Sequence, residues 1–283
     1  VTRHVSLAFV LALLARAASA EPVPARVASL NLTSDEILVD LLPAGRLVAV
    51  TRWADDPGTS NVAGRVPASA VRFPRADLER LVALRPDLVV LSQFTDADFL
   101  RLVEKSGLRH HRLQGLESLA GMRASVLELG RLVGESAGAE RLVARFDATL
   151  AELDRRLTGA PRPRVLYWAN PHTAGRNTSY GAIIEAAGAT NVGRELGLEG
   201  ILPLSAERAF RADPDYVLLG QWEGSGASLR EHPLLKQLRA VREGHVVEMP
   251  TPLLVALDHY AADACWWLAS ALHPDRVPQN RRP

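Results

Sequence analysis

The stretch ERLVALRPDLVVL, beginning at Glu79, returns nearly half a chain later as ERAFRADPDYVLL, beginning at Glu207. In both copies a Glu-Arg pair is followed, at the same offsets, by Pro-Asp and then by Val and Leu. Each copy reads as helix, turn and buried strand. Pro86 and Pro214 end the helix, because Pro lacks an amide donor and keeps its predecessor out of helical angles. Such a unit written twice predicts two lobes built on one plan. Independent convergence on a generic helix–turn–strand unit is the alternative.

The surrounding pattern agrees with two lobes. Short apolar runs (26–32, 47–51, 87–92 and a weak one at 110–114) alternate with helical patterns over the first half. This alternation predicts a parallel sheet covered by helices. Thr33 and Glu36 have capping-box spacing at the start of the first helix. From about Ala139 to Leu157, Leu142, Phe146, Leu150, Leu153 and Leu157 recur at spacings of three and four, which predicts one long helix. Strand and helix patterns then resume at 164–168, 180–188, 205–212, 216–220, 229–238 and 245–249, with a last helix from about Asp258 to Leu272. The fold class expected is therefore α/β: two Rossmann-like lobes with parallel sheets, joined by a single long rigid helix, with a ligand cleft between them. The boundaries expected are 21–138 for the first lobe, 139–160 for the bridge and 161–283 for the second lobe.

Residues 1–20 read as a secretory signal: Arg3 and His4, then the apolar run from Val5 to Leu14, then Ala18-Ser19-Ala20 at the cleavage positions. Arg3 and Arg16 leave with it and no acid does, so 32 acids then outnumber the bases by one. A near-neutral mature chain gives no support to a nucleic-acid partner. The one cysteine, Cys265, precludes an internal disulfide and lies far from the expected cleavage site, so no lipid-modified Cys is expected at the mature terminus. A free, monomeric protein of the bacterial periplasm follows.

Ligands of open parallel sheets bind beyond the carboxyl ends of the strands. Those ends carry Asn31, Arg52 with Trp53, and Gln93 with Phe94 in the first half. In the second they carry Trp168, the loop 169–180 with His172 and Arg176, Trp222 after Gln221, and the segment 251–255 with Leu254. Three Trp residues just after strands offer flat walls for a large, partly apolar ligand, although core burial accounts for any one of them. Arg52 and Arg176 suit amides or carboxylates at a rim; simple solvation is the alternative. Dinucleotide, P-loop, nucleophile-elbow and zinc-protease motifs are all missing. Neither an enzyme nor a protein with a resident cofactor or metal is expected.

The segments 26–57, 78–90 and 164–192, in this order around the long helix, resemble the periplasmic binding proteins for ferric siderophores, haem and cobalamin. The resemblance spans about residues 24–272 and is nearest to the cobalamin-binding members. It implies a receptor that carries a large metal chelate, a cobalamin or an iron chelate, to an ABC permease dimer with its ATPase, and that undergoes little hinge motion. It further implies that Glu79 and Glu207, one per lobe, dock onto arginines of the two permease subunits. The simpler account of both acids is a favourable place at a helix N-terminus. Trp53 falls where the cobalamin protein has an aromatic contact, whereas Leu254 stands where that protein has a Trp. Tyr167, His172 and Tyr180 are no more than loose candidates for a haem-iron ligand, and Arg52 with Arg176 is thin for a catecholate siderophore. A ferric-siderophore or haem carrier is the runner-up, and an α/β enzyme using the same cleft stands behind it.

Overall fold

A computed structural model describes residues 22–221 and 225–279. The expected leader and Trp222 lie outside the described residues. Two parallel sheets form two lobes. The first contains β1 (Val27–Ser29), β2 (Leu47–Thr51), β3 (Val71–Phe73), β4 (Leu88–Ser92) and β5 (His110–Leu113), in the order β3-β2-β1-β4-β5. The second is built on β6 (Arg164–Tyr167), β8 (Thr190–Asn191), β10 (Tyr216–Gly220) and β11 (Val246–Met249), in the order β11-β10-β6-β8. Between them in sequence, β7 (His172–Ala174) and β9 (Ile201–Pro203) form a separate antiparallel pair.

Each main sheet is covered on both faces, so its central strands are apolar throughout and alternate between two cores. On β4, Leu88 and Val90 enter one core while Val89 and Leu91 enter the other. On β6, Val165 and Tyr167 face one side while Leu166, followed by Trp168, faces the opposite side.

The repeated phrase proves to be a repeated set of bonds. In the first lobe, Asp87 accepts hydrogen bonds from the Ala25 and Arg26 amides, each at 2.9 Å. The Arg26 guanidinium in turn donates to the Leu84 and Arg85 carbonyls, at 2.7 and 3.1 Å, closing the helix Leu78–Ala83. In the second lobe, Asp215 accepts from the Arg164 amide at 2.8 Å. The Arg164 guanidinium then donates to the Ala212 and Asp213 carbonyls, at 2.8 and 2.9 Å, closing the helix Ala206–Ala212. Even the left-handed residue is matched, with φ of 47° at Arg85 and 41° at Asp213. The guanidinium beside each strained carbonyl offsets a conformation that side-chain-bearing residues avoid.

The bridging helix is Ser136–Leu157, starting three residues before the expected Ala139. At 1.5 Å per residue its 22 residues span ~33 Å. Its first half, through Ala139 and Val143, belongs to the first-lobe core. Phe146 meets Met122 of one lobe and Ala261 and Ala262 of the other, and Leu153 belongs to the second-lobe core. Its approach to the helix Leu119–Leu132 requires Gly130, where a Cβ would lie 2.3 Å from that of Ala139.

Other boundaries moved for physical reasons. The first helix is Leu32–Leu41, capped by Asn31, whose side chain accepts from the Ser34 amide at 2.9 Å. Thr33 is therefore inside the helix, and Glu36 reaches the Asn61 amide instead of closing a capping box. The pattern at 229–238 divides into a helix Ser225–Glu231 and a 3-10 turn Leu235–Gln237. Among the described residues no helix is long and apolar enough to cross a membrane.

Replacing Asp87 or Asp215 with Ala is expected to lower stability by about 1–3 kcal/mol, the usual effect of losing hydrogen bonds to a charged group. Because the sites lie in different lobes, the two losses should add in urea unfolding of the double variant; strong non-additivity would contradict matched, independent staples.

Candidate ligand-binding site

The carboxyl edge of the first sheet holds two adjoining hollows. One, of about 270 Å³, is lined by Asn31, Thr51, Trp53, Phe73 and Arg75. The other, of about 160 Å³, is lined by Leu91, Ser92, Phe94, Asp96 and Phe99. Leu30 and Ala76 belong to both walls, so the hollows form a single trough across the ends of β1, β2, β3 and β4.

Trp53 is 44% exposed and Phe94 65% exposed, unusual for large apolar side chains. Trp53 lies in a 3-10 turn Arg52–Asp55 directly after β2, with the Arg52 guanidinium 4.2 Å from its ring centroid. That stacking orients the ring and brings a positive charge to the rim. Phe94 is thrust outward by a tight turn in which the Thr95 amide donates to the Ser92 carbonyl and the Ser92 amide to Thr95 Oγ1, each at 3.0 Å.

Asn31 and Gln93 are at the edge as expected, but their side chains hold the protein together. Asn31 caps the first helix and reaches the Val90 carbonyl at 3.4 Å. Gln93 accepts from the Leu116 amide at 3.1 Å and donates to Glu117 at 3.0 Å, fixing the loop after β5. Beneath the trough, Asp35 accepts from the Thr51 amide and hydroxyl, at 3.1 and 2.5 Å. Burial raises its pKa to about 8 in spite of these bonds.

Two expectations for the second lobe are corrected. Trp168 is 5% exposed and packs with Leu166, Leu204 and Val217, because it follows the same face of β6 as Leu166. Leu254 is 1% exposed in the opposite core. Neither presents a wall to a ligand. His172, the first residue of β7, and Arg176, just beyond it, are exposed. Arg176 lies 3.5 Å from Glu199, which also accepts from Asn177 at 2.9 Å. This loop packs so tightly that a Cβ on Gly175 would fall 2.2 Å from the Leu198 carbonyl oxygen. A hollow of about 440 Å³ draws on both lobes, with Glu117 and Ser118 facing Arg176, Asn177, Thr178 and Arg194. A second hollow of similar size, beside Leu157 and Arg162, lies at the amino end of β6, away from the strand ends where ligands are bound.

Sequence reading missed Phe73, Arg75 and Ala76, since β3 is three residues long and its apolar signal is correspondingly weak. It also missed β9, whose three residues are all exposed and leave Ile201 and Leu202 in solvent. Tyr167 is buried and stacked on Tyr180 at 4.2 Å, which removes it as a metal ligand for anything in the cleft. Among the described residues no cluster of three or more His, Cys, Asp or Glu is arranged to hold a metal ion.

Two parallel-sheet lobes on a rigid helical bridge, with an open trough at the strand ends, define a class of binding protein. The periplasmic binding protein family matches residues 27–253, and the chain belongs to that family. A cobalamin-binding protein from Halobacterium salinarum is 28% identical over 201 residues, 70% of this chain and 54% of the relative. The chain thus spans about half the length of that relative. A periplasmic heme-binding protein from Pseudomonas aeruginosa is similar at a TM-score of 0.74 and 26% identity, covering 89% of this chain and 94% of its own. The heme-binding protein RhuT from Roseiflexus sp. RS-1 gives a TM-score of 0.76 at 23% identity, over 88% and 98%. The molybdate-binding MolA from Haemophilus influenzae gives 0.77 at 17%, over 90% and 88%. The family and these relatives are binding proteins.

Proposed function

We propose that this protein is a periplasmic receptor that binds a bulky metal chelate, a corrinoid by preference, and delivers it to an ABC importer. The observation that carries the reading is the pair of exposed aromatic rings, Trp53 and Phe94, flanking one trough at the strand ends. Apolar rings left in water at a concave edge suit a large ligand with flat or apolar faces. The relationship to a cobalamin-binding protein favours a corrinoid. Haem is the second reading, favoured by the structural likeness to heme-binding proteins. Against haem, Tyr167 is buried, leaving His172 and the half-buried Tyr180 as axial candidates.

Delivery rests on Glu79 and Glu207. Both are exposed, and each is two residues past the side chain that caps its helix, Asp77 or Ser205. The helix Leu78–Ala83 begins directly after Arg75 and Ala76 of the trough wall. The helix Ala206–Ala212 begins beside Leu204, whose amide donates to the Pro171 carbonyl at 2.8 Å. Both acids therefore stand on the ligand side of their lobes. One turn further on, Val82 and Phe210 are exposed in matching positions, so each acid has an apolar companion. Two such points give an oriented contact with a two-fold membrane partner.

Mixing the protein with cyanocobalamin, haemin and a ferric-siderophore panel and desalting each mixture should leave cobalamin on the protein. Trp53→Ala and Phe94→Ala should each weaken binding roughly 5- to 150-fold, the effect of losing an aromatic anchor of about 1–3 kcal/mol. Co-elution of another chelate alone would overturn the corrinoid choice. The pair Glu79→Lys and Glu207→Lys should abolish uptake in cells with affinity for the chelate unchanged. Undiminished uptake in that double variant would refute the docking role.

A further inference from the structure

Besides the bridging helix, a second connection joins the lobes, and it is made of ionisable and polar groups with Glu36, Asp258 and His259 buried among them. Glu36 and Asp40 come from the first helix, Leu32–Leu41, and Asn61 and Arg65 from the loop after β2. Facing them from the second lobe are Asp258, His259 and Tyr260, just before the last helix, Ala261–Leu272. Asp40 Oδ2 receives His259 Nε2 at 2.9 Å and the Tyr260 hydroxyl at 2.7 Å, while Arg65 bonds Asp40 and Tyr260. Asn61 Nδ2 donates to the Pro252 carbonyl at 2.9 Å, and the Asn61 amide donates to Glu36 at 2.5 Å.

At the centre, Asp258 and Glu36 are both buried and neighbour one another across the junction. Asp258 Oδ1 accepts the Tyr260 amide at 2.8 Å, but no N–H or O–H of a neighbouring donor group reaches Oδ2. His259 Nδ1 is 4.0 Å from Oδ1 and likewise buried without a partner. Two carboxylates are acceptors only and cannot bond each other. A facing pair in a buried interface is satisfied when one proton lies between them, as in other carboxyl dyads.

The geometry points to a proton-held clasp: the lobes are drawn fully together at this junction while Glu36 and Asp258 share a proton. Its loss leaves two buried charges facing each other. The junction then keeps the bonds to Asp40 and the Asn61–Pro252 bond but loses its centre, and the lobes are held together less firmly. The groups facing Glu36 are Asp258, His259, Asn61 and Asp35; those facing Asp258 are Glu36, Asp40 and His259; those facing Asp40 are His259, Tyr260 and Arg65. Burial raises the pKa values of Glu36 and Asp258, the latter well above the ordinary range, with the neighbouring carboxyl adding to the effect on Asp258. Raised acids contribute stability that is complete below the unfolded-state pKa and is lost as pH climbs through the folded-state pKa. The clasp is therefore closed on the acid side and weakens toward alkaline pH. Asp40, by contrast, is held below its usual range by hydrogen bonds from His259, Tyr260 and Arg65 that outweigh its burial, and it stays ionised throughout.

Lys105 and Lys236 are exposed, one on each lobe. Nitroxide labels on Lys105→Cys and Lys236→Cys, read by pulsed electron resonance between pH 5 and pH 9, report the inter-lobe distance without any ligand; Cys265 is buried. A narrow distribution at pH 5 that broadens toward pH 9 is expected. Asp258→Asn supplies a permanent donor and should stay narrow throughout, and Glu36→Gln does the same from the other side if the first variant fails to fold. A width independent of pH in the labelled parent would overturn the clasp. So would broadening that persists undiminished in the folded Asn or Gln variant, or that disappears in Asp35→Asn alone. None of these readings depends on which chelate is carried.

Discussion

Each lobe hangs on one staple: an aspartate after a proline that grips the start of a neighbouring strand, and an arginine on that strand that closes the helix before the proline. The bonds are made at the amino ends of β1 and β4 in one lobe and of β6 and β10 in the other. They fix strand order at one edge and leave the opposite edge of each sheet free. Helices antiparallel to the strands then begin at that free edge, which brings Glu79 and Glu207 to the side where Trp53 and Phe94 are exposed. One local constraint, used twice, thus places both the trough and the two exposed acids.

The bridging helix divides its apolar face between the two cores, with Phe146 at the crossing. A helix buried at both ends transmits little bending, since its side chains would have to leave two close-packed cores at once. The polar junction at Asp40, His259 and Tyr260 adds a second attachment away from that axis. Two separated attachments resist rotation in a way that one cannot. Stiffness in this chain is thus shared between an apolar element and an ionisable one.

Much of this was legible in the sequence where a single period dominates. The segments 47–51 and 216–220 are strands at the expected residues because each is a continuous apolar run between turn signals. Trp168 and Leu254 were misplaced for a related reason. In a run apolar on both faces, such as 164–168, no polar partner marks which side is the core. The edge strand β9 carries neither length nor alternation, so it left no signal. Glu36 reads as half of a capping box with Thr33, and only the fold reveals that Asn61 and the turn at Asp258 cover it and that Thr51 covers its neighbour Asp35.

The central claim is that a chelate bridges the two lobes over the strand ends. Hydrogen–deuterium exchange with and without the co-eluting chelate addresses it directly. The account predicts slowed exchange in four first-lobe segments, 30–34, 52–55, 75–76 and 93–95, together with 172–177 of the second lobe. Protection confined to one lobe, or centred on the hollow beside Leu157 and Arg162, would contradict it.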